Sequence, residues 1–242
     1  GNEMSTPEAD KPLQQPSDDG FTGQDERTLG NIANIPLTNQ VAATIRDMII
    51  QDKLKPGQRI RERQLSEKLN VSRTPLREAI KILVSEKLVE SSPNRGAVVA
   101  DLEPENIREL LQVLAALEAL GGRLVAENAT DEQISEIQAL HFEMLAAFCR
   151  KDKLAYFKLN QAIHKSIMLA SGNSALVETH EQLNARVYRF RYLSNQRNEK
   201  WHEAVDEHEN IVQALEARDS ERLEQLLAQH LGRTWIKVSE IE

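Results

Sequence analysis

The 242-residue sequence predicts a mostly α-helical protein built from two domains. Apolar residues recur at helical spacing along most of the chain from residue 37 onwards, which is typical of amphipathic helices. Between residues 88 and 100 two short β-branched segments flank a turn, which predicts a hairpin. We therefore expect a mobile tail over 1–35, a small domain over 36–100 and an all-helical bundle over 101–242.

The small domain is expected to contain three helices and a hairpin. The first two helices are predicted over about 38–51 and 62–69. The third follows closely, with Ser72 or Thr74 as its N-cap, because Pro75 is tolerated in a first helical turn. A strand, a turn and a β-branched return strand complete the domain. Three helices followed by a hairpin are the pattern of a winged helix-turn-helix.

The remaining chain predicts helices only, after a hinge at 101–106. The sequence Thr130-Asp131-Glu132-Gln133 is a capping box, which marks the start of one of them. The predicted helices run over about 104–128, 130–151, 152–170, 174–197, 201–217 and 219–239.

Charge is distributed unevenly along the chain, whose formal net charge is −8. Residues 36–100 hold 12 Lys and Arg against 7 Asp and Glu, whereas residues 101–242 hold 16 against 24. A basic segment beside an acidic domain indicates a phosphate-facing surface at one end of the molecule. The single cysteine, Cys149, excludes a disulfide framework and a cysteine-cluster zinc site. No apolar run approaches the roughly 18 residues of a membrane span, so we expect a cytoplasmic protein without a membrane partner.

The third predicted helix carries a stripe of cations opposite its apolar face. Arg73, Arg77 and Lys81 follow one another at four-residue spacing, so they lie on one side. The second helix of a helix-turn-helix enters the major groove of DNA, where arginine matches guanine O6 and N7. We therefore expect double-stranded DNA as the partner, with a solvated helix face as the alternative. The further candidates are Ser72 and Thr74 for phosphates, Arg63 as an additional cation, and Arg95-Gly96 at the wing tip for the minor groove.

A close resemblance to the DNA-binding domain of the GntR family of bacterial transcription regulators covers about residues 37–100. It is carried by the stretch RIRERQLSEKLNVSRTPLREAIKILVSEKLVESSPNRGAVVA. Pro75 stands where some members place a second threonine, so one phosphate contact is lost. By position, the resemblance implies DNA contacts from Arg63, Arg73, Arg77, Thr74 and the wing tip Arg95-Gly96.

Three of the six histidines fall where a helical bundle can bring them together. His164 follows Asn160 by four residues, so both lie on one helix face. His208 and His230 are 22 residues apart, a spacing that a helical hairpin can close. Three converging imidazoles suit a divalent transition metal such as zinc or nickel, with satisfied or exposed histidines as the alternative. The other three are expected at the surface: His141, His180 and His202.

The helical part resembles the FCD ligand-binding domain of the FadR subgroup, over about 104–239. The resemblance is carried by LNQAIHKSIMLASGNSAL, EHENIVQALEARD and QHL. It implies a metal beside a small carboxylate effector, held by Asn160, His164, His208 and His230. Asn160 stands where aspartate is usual, and Leu114 stands where an arginine often lies near the ligand cavity. Arg186 and Arg189 are candidates to replace that arginine, with plain surface positions as the alternative.

These observations favour a ligand-responsive transcription regulator rather than an enzyme. We expect a homodimer that binds a palindromic operator, because one winged helix contacts too few base pairs for useful specificity. Repression is the family expectation, and the helical domain would sense a carboxylate-containing metabolite. One alternative is a constitutive DNA-binding protein whose bundle only dimerises. The other is a metalloenzyme with Glu207 or Glu209 as general base beside His208.

Overall fold

The computed structural model describes residues 36–196 and 198–239, so the tail expected over 1–35 lies outside the described residues. Within them the fold is mostly helical, as the sequence predicts. None of the described helices is both long and apolar enough to cross a membrane. The elements are α1 Leu37–Ile50, α2 Glu62–Leu69, α3 Arg73–Ser85, β1 Val89–Ser92, β2 Gly96–Val99, α4 Pro104–Asn128, α5 Asp131–Cys149, α6 Lys153–Ala170, α7 Ser174–Ser194, α8 Asn198–Glu216 and α9 Ser220–Ser239.

Residues 37–99, called the head below, form a winged helix-turn-helix. Buried apolar residues of α1, α2, α3 and the hairpin make up one core. The strands β1 and β2 are antiparallel, with Val89 opposite Val99 and Ser92 opposite Gly96. The backbone of Arg59 forms an isolated antiparallel β-bridge with Val98 of β2. Ser72 is the N-cap residue of α3, which decides between the two predicted starts.

The bundle consists of α4 to α9 around a second apolar core. The predicted capping box is present at the start of α5, where Gln133 N–H donates to Thr130 Oγ1 at 3.1 Å and Thr130 N–H donates to Gln133 Oε1 at 2.9 Å. Two boundaries differ by three residues from the prediction: α7 ends at Ser194 and not at about residue 197, and α8 begins at Asn198 and not at about residue 201. Asn195 N–H donates to the carbonyl of Tyr192, three residues back, so the last turn tightens and the helix stops.

Helix α7 also joins the head to the bundle. Ile50 at the end of α1 is fully buried beside Phe157 of α6 and Tyr192 of α7. Two ion pairs flank this contact, Lys158 Nζ to Asp47 Oδ2 at 2.6 Å and Arg189 Nη2 to Asp52 Oδ1 at 2.7 Å. Exposed ion pairs contribute little free energy, so burial of the apolar residues supplies most of the stabilisation between the head and the bundle.

Helices α4 and α9 pack closely where Gly122 lacks a side chain. A Cβ added there would lie 2.7 Å from Leu227 Cδ1 and 3.0 Å from the backbone oxygen of Leu223. We expect Gly122→Ala to lower the free energy of unfolding by about 1–3 kcal/mol, because backbone atoms of α9 must move. Urea denaturation followed by circular dichroism measures this change.

Gly232 on α9 is the matched control, since a Cβ added there meets no atom within 4 Å. Gly232→Ala should raise the free energy of unfolding by about 0.5–1 kcal/mol through helix propensity alone. An unfolding midpoint of Gly122→Ala equal to that of Gly232→Ala would contradict the close packing of α4 on α9.

Candidate functional site

All seven predicted DNA-contacting residues are exposed on the head. They occupy the start of α2, the first turns of α3 and the hairpin turn: Arg63, Ser72, Arg73, Thr74, Arg77, Arg95 and Gly96. Gly96 has a φ of +69°, a conformation that favours glycine at the wing tip. The structure therefore places the predicted contact residues at three accessible points of one domain.

Several cations of this surface are paired with carboxylates of the head. Arg77 Nε lies 2.9 Å from Glu62 Oε2, and this pair connects α3 to the start of α2. Arg63 Nε lies 3.2 Å from Glu67 Oε1. Exposed pairs of this kind contribute about 0–1 kcal/mol, so phosphates or bases can replace the carboxylates at low cost.

Three helices of the bundle each contribute one histidine to a buried cluster. His164 of α6, His208 of α8 and His230 of α9 offer ligand atoms that all lie within 4.8 Å of one another. The centroids of their rings are 4.8–5.4 Å apart. Asn160 lies one turn before His164, and its Oδ1 is 2.9 Å from His208 Nε2. The structure thus brings together all four residues that the sequence predicts as metal ligands.

The Nδ1 atom of each ring in this cluster is held by an oxygen. His164 Nδ1 lies 2.8 Å from Glu118 Oε2, and His208 Nδ1 lies 2.7 Å from the carbonyl oxygen of Ala204. His230 Nδ1 lies 2.5 Å from Glu207 Oε2. Metal-binding histidines are typically oriented in this way, through a second nitrogen bonded to a carboxylate or carbonyl.

The Nε2 atom of His164 is buried and has no hydrogen-bond partner among the described residues. A buried polar atom without a partner is costly unless a water, an ion or a ligand satisfies it. Three imidazole nitrogens and an amide oxygen form a donor set that suits zinc or nickel. The residues therefore fit a divalent transition metal.

Burial keeps the imidazoles of His164 and His208 neutral. It lowers the pKa of His164 to about 4, with Glu118 opposing the change and His230 and Arg191 adding to it. Burial also lowers the pKa of His208 well below its ordinary value, helped by the positive charge that His230 and His164 would carry if protonated. Because a metal competes with protons for imidazole nitrogen, His164 and His208 are in the protonation state that metal binding requires near neutral pH.

Glu118 of α4 is the buried partner that the sequence prediction missed. It has no exposed surface, and its Oε1 lies 2.9 Å from His180 Nε2 and 3.5 Å from Arg191 Nη1. Burial by itself would raise the pKa of Glu118, but His164, His180 and Arg191 hold it well below its ordinary value. The sequence did offer one signal for a buried carboxylate, because Glu118 is the only charged residue in the apolar stretch LAALEALGG of α4.

Two histidines assigned to the surface are in fact buried. His180 is 2% exposed because it contacts Glu118, 62 residues away in the chain. His141 is also 2% exposed, and its Nε2 lies 2.8 Å from Glu209 Oε2. His202 is exposed, as expected. Local sequence alone could not reveal the two distant carboxylates.

The two arginines predicted for the effector lie elsewhere on α7. Arg189 is bonded to Asp52 of the head, and Arg186 is half-buried with no side-chain hydrogen bond among the described residues. The arginine that reaches Glu118 beneath the histidines is Arg191, which is 3% exposed. Leu114 is fully buried in an apolar cluster. The effector role of Arg186 and Arg189 stays a prediction.

Comparison with known proteins agrees with this architecture. The family model described as bacterial regulatory proteins, gntR family, matches residues 37–99, and the FCD domain model matches residues 109–233. The chain belongs to the GntR family of bacterial regulators and carries an FCD domain. It is therefore a transcription regulator.

Individual relatives of this GntR-family regulator are similar over most of their length. The HTH-type transcriptional repressor RspR of Escherichia coli is 28% identical, over 81% of this chain and 86% of that protein. A probable D-xylose utilization operon transcriptional repressor of Paenarthrobacter nicotinovorans is 29% identical, over 79% of this chain and 86% of its own. The solved structure of E. coli McbR/YncC covers 86% of this chain and 99% of its own, with 26% identity and a TM-score of 0.75.

The depressed pKa of His164 predicts that acid destabilises the metal-free protein. Between pH 6.5 and 4 the unfolded chain binds a proton at this residue and the folded chain does not. The free energy of unfolding should therefore fall by up to about 3 kcal/mol as the pH drops through that window. Urea titrations in the presence of a chelator measure this fall.

His164→Gln should make the profile between pH 6.5 and 4 shallower, because one of the two titrating histidines is gone while His208 still takes up a proton on unfolding. His202→Gln, the same substitution at an exposed histidine, is the matched control. A profile of equal slope in wild type and His164→Gln would contradict the assignment.

Proposed function

We propose that this regulator is a cytoplasmic repressor that binds a palindromic DNA operator as a homodimer and responds to a small ligand through a metal in its FCD domain. The observation that carries the proposal is the double role of α7. One part of this helix holds the head through Arg189 and Tyr192, and another reaches the carboxylate beneath the histidines through His180 and Arg191.

The DNA contacts follow from the exposed first turns of α3. Arg73 lies in the first turn and Arg77 one turn later, and the N-terminal residues of such a helix meet base edges in the major groove. Ser72 precedes α3 with extended backbone and makes no capping bond through its side chain. Its hydroxyl is therefore ready to donate to a phosphate. The wing tip supplies the minor-groove contact through Arg95-Gly96.

Repression is inferred from the relatives, and the dimer from the symmetry of a palindromic operator. Two of the relatives carry the word repressor in their names. A palindromic operator binds two recognition helices one helical turn apart, and this arrangement requires a two-fold symmetric protein.

The metal would be held by His164, His208 and His230, with Asn160 as a weaker neutral ligand. When bound, it would supply a cationic centre that attracts the carboxylate of an effector. The protein contributes the orientation of the rings, through Glu118, the Ala204 carbonyl and Glu207. It also excludes water, because the three histidines are at most 6% exposed.

The coupling between the two domains is proposed to run through Glu118. Charge added at His164 changes how strongly Glu118 attracts its other partners, His180 and Arg191, which both belong to α7. Arg191 Nη1 also donates to Asn184 Oδ1 at 2.5 Å, so the guanidinium is held at two points of contact. A shift of α7 would move Arg189, which is bonded to Asp52, and would therefore displace the head. Such coupling is reciprocal, so operator binding would change the affinity for the metal as well.

The two carboxylates considered as general bases for a metalloenzyme are already engaged. Glu207 accepts from His230 Nδ1 and pairs with Arg233, and Glu209 contacts His141. These contacts orient histidines, which suits a binding site. They give the hydrolytic alternative no support.

The recognition helix can be tested with an operator selected from a pool of random duplexes. Arg73→Ala or Arg77→Ala should each cost about 1–3 kcal/mol of binding to the selected sequence if the side chain contacts bases. Fluorescence anisotropy titrations measure the loss. Arg108→Ala, an exposed arginine of the bundle, is the matched control. Equal weakening on random duplexes would make these residues phosphate contacts instead.

The metal site can be tested by elemental mass spectrometry of protein purified without added metal. We expect close to one equivalent of zinc or nickel, lost in His164→Ala and retained in His202→Ala. Asn160→Asp should bind the metal more tightly, because a carboxylate is a stronger ligand for a dication than an amide oxygen. Full occupancy in His164→Ala would contradict the site.

A further inference from the structure

The head has a groove of about 440 Å³ on the side of α2 that faces the end of α1. Its floor is apolar, and its rim is formed by long polar side chains. The lining includes Lys53, Gln58, Arg59, Arg61, Gln64 and Lys68. Neither the sequence motifs nor the family resemblance assigns a role to these residues.

The groove is strongly positive. Lys53, Arg59, Arg61 and Lys68 are all exposed, and no aspartate or glutamate lines the groove with them. None of the four side chains forms an ion pair within the part of the chain that the structure describes. In contrast, Arg77 of the recognition helix is paired with Glu62. Much of the uncompensated positive charge of the head thus lies in this groove.

The groove adjoins the proposed DNA surface at the wing tip and shares helix α2 with it. Helix α2 carries Arg63 near its start, while Gln64 and Lys68 on the same helix line the groove. At the other end, the guanidinium of Arg59 lies 3.9 Å from the position that a Cβ on Gly96 would occupy. The row of cations therefore begins beside the wing tip and follows α2.

We propose that this groove binds the phosphate backbone of the DNA that flanks the minor groove entered by the wing. The inference rests on the proposed DNA-binding function and extends its surface. Four exposed cations with two amide donors between them match a row of phosphate oxygens. The groove has no aromatic side chain to stack on a base. It strengthens binding to any sequence and adds no sequence preference.

The test is the salt dependence of binding to a random-sequence duplex of 30 base pairs, followed by fluorescence anisotropy. Each phosphate contact adds about 0.9 to the slope of log K against log salt concentration. The double variant Arg59→Gln/Lys68→Gln removes one cation at each end of the groove, so the slope should become shallower by about 2. Both residues are exposed, and circular dichroism melting checks that the head stays folded.

Arg123→Gln/Arg150→Gln is the matched control, because it removes two exposed cations from the bundle. Its slope should equal that of wild type. A wild-type slope in Arg59→Gln/Lys68→Gln would overturn the groove proposal, as would an equal change in the control. The proposed function fails separately, if wild type shows no preference for a selected operator over random DNA. Wild-type protein that binds no duplex at all would overturn both.

Discussion

The buried carboxylate of Glu118 is the constraint on which much of the bundle depends. A fully buried carboxylate is costly unless it is paired and hydrogen-bonded, and here three side chains from two other helices surround it. These contacts join α4, α6 and α7 in the interior. They also decide which nitrogen of His164 faces the other histidines. One ionised group thus fixes both the packing of three helices and the chemistry of the cluster.

Helix α7 connects this interior charge to the head. Its inner side contributes His180 and Arg191, and its end packs Tyr192 against Ile50 and Phe157. Under the proposed function, a ligand bound in the bundle would have to change the head, and this requires elements of the two domains in physical contact. The structure provides this contact through α7, with Phe157 and Lys158 of α6 beside it, so packed helices link the histidine cluster to the head.

The head combines two kinds of positive charge. Arg77 of the recognition helix and Arg63 of α2 are paired with neighbouring carboxylates, and such exposed pairs are weak enough to exchange for DNA. The cations of the groove have no carboxylate partner in the described structure, so they contribute attraction at longer range. Under the proposed function, base contacts would provide specificity while backbone contacts would provide affinity.

Local patterns in the sequence determined the helices, the hairpin, the capping box at Thr130 and the shared helix face of Asn160 and His164. These features depend on residues within a few positions of one another, so the sequence displays them directly. Only the tertiary structure decided that His180 is buried, that Arg191 reaches Glu118 and that Arg189 is bonded to Asp52. Those partners lie 62, 73 and 137 residues apart in the chain. Periodicity carries no information at such separations, because the pairing of distant side chains is set by how whole helices pack.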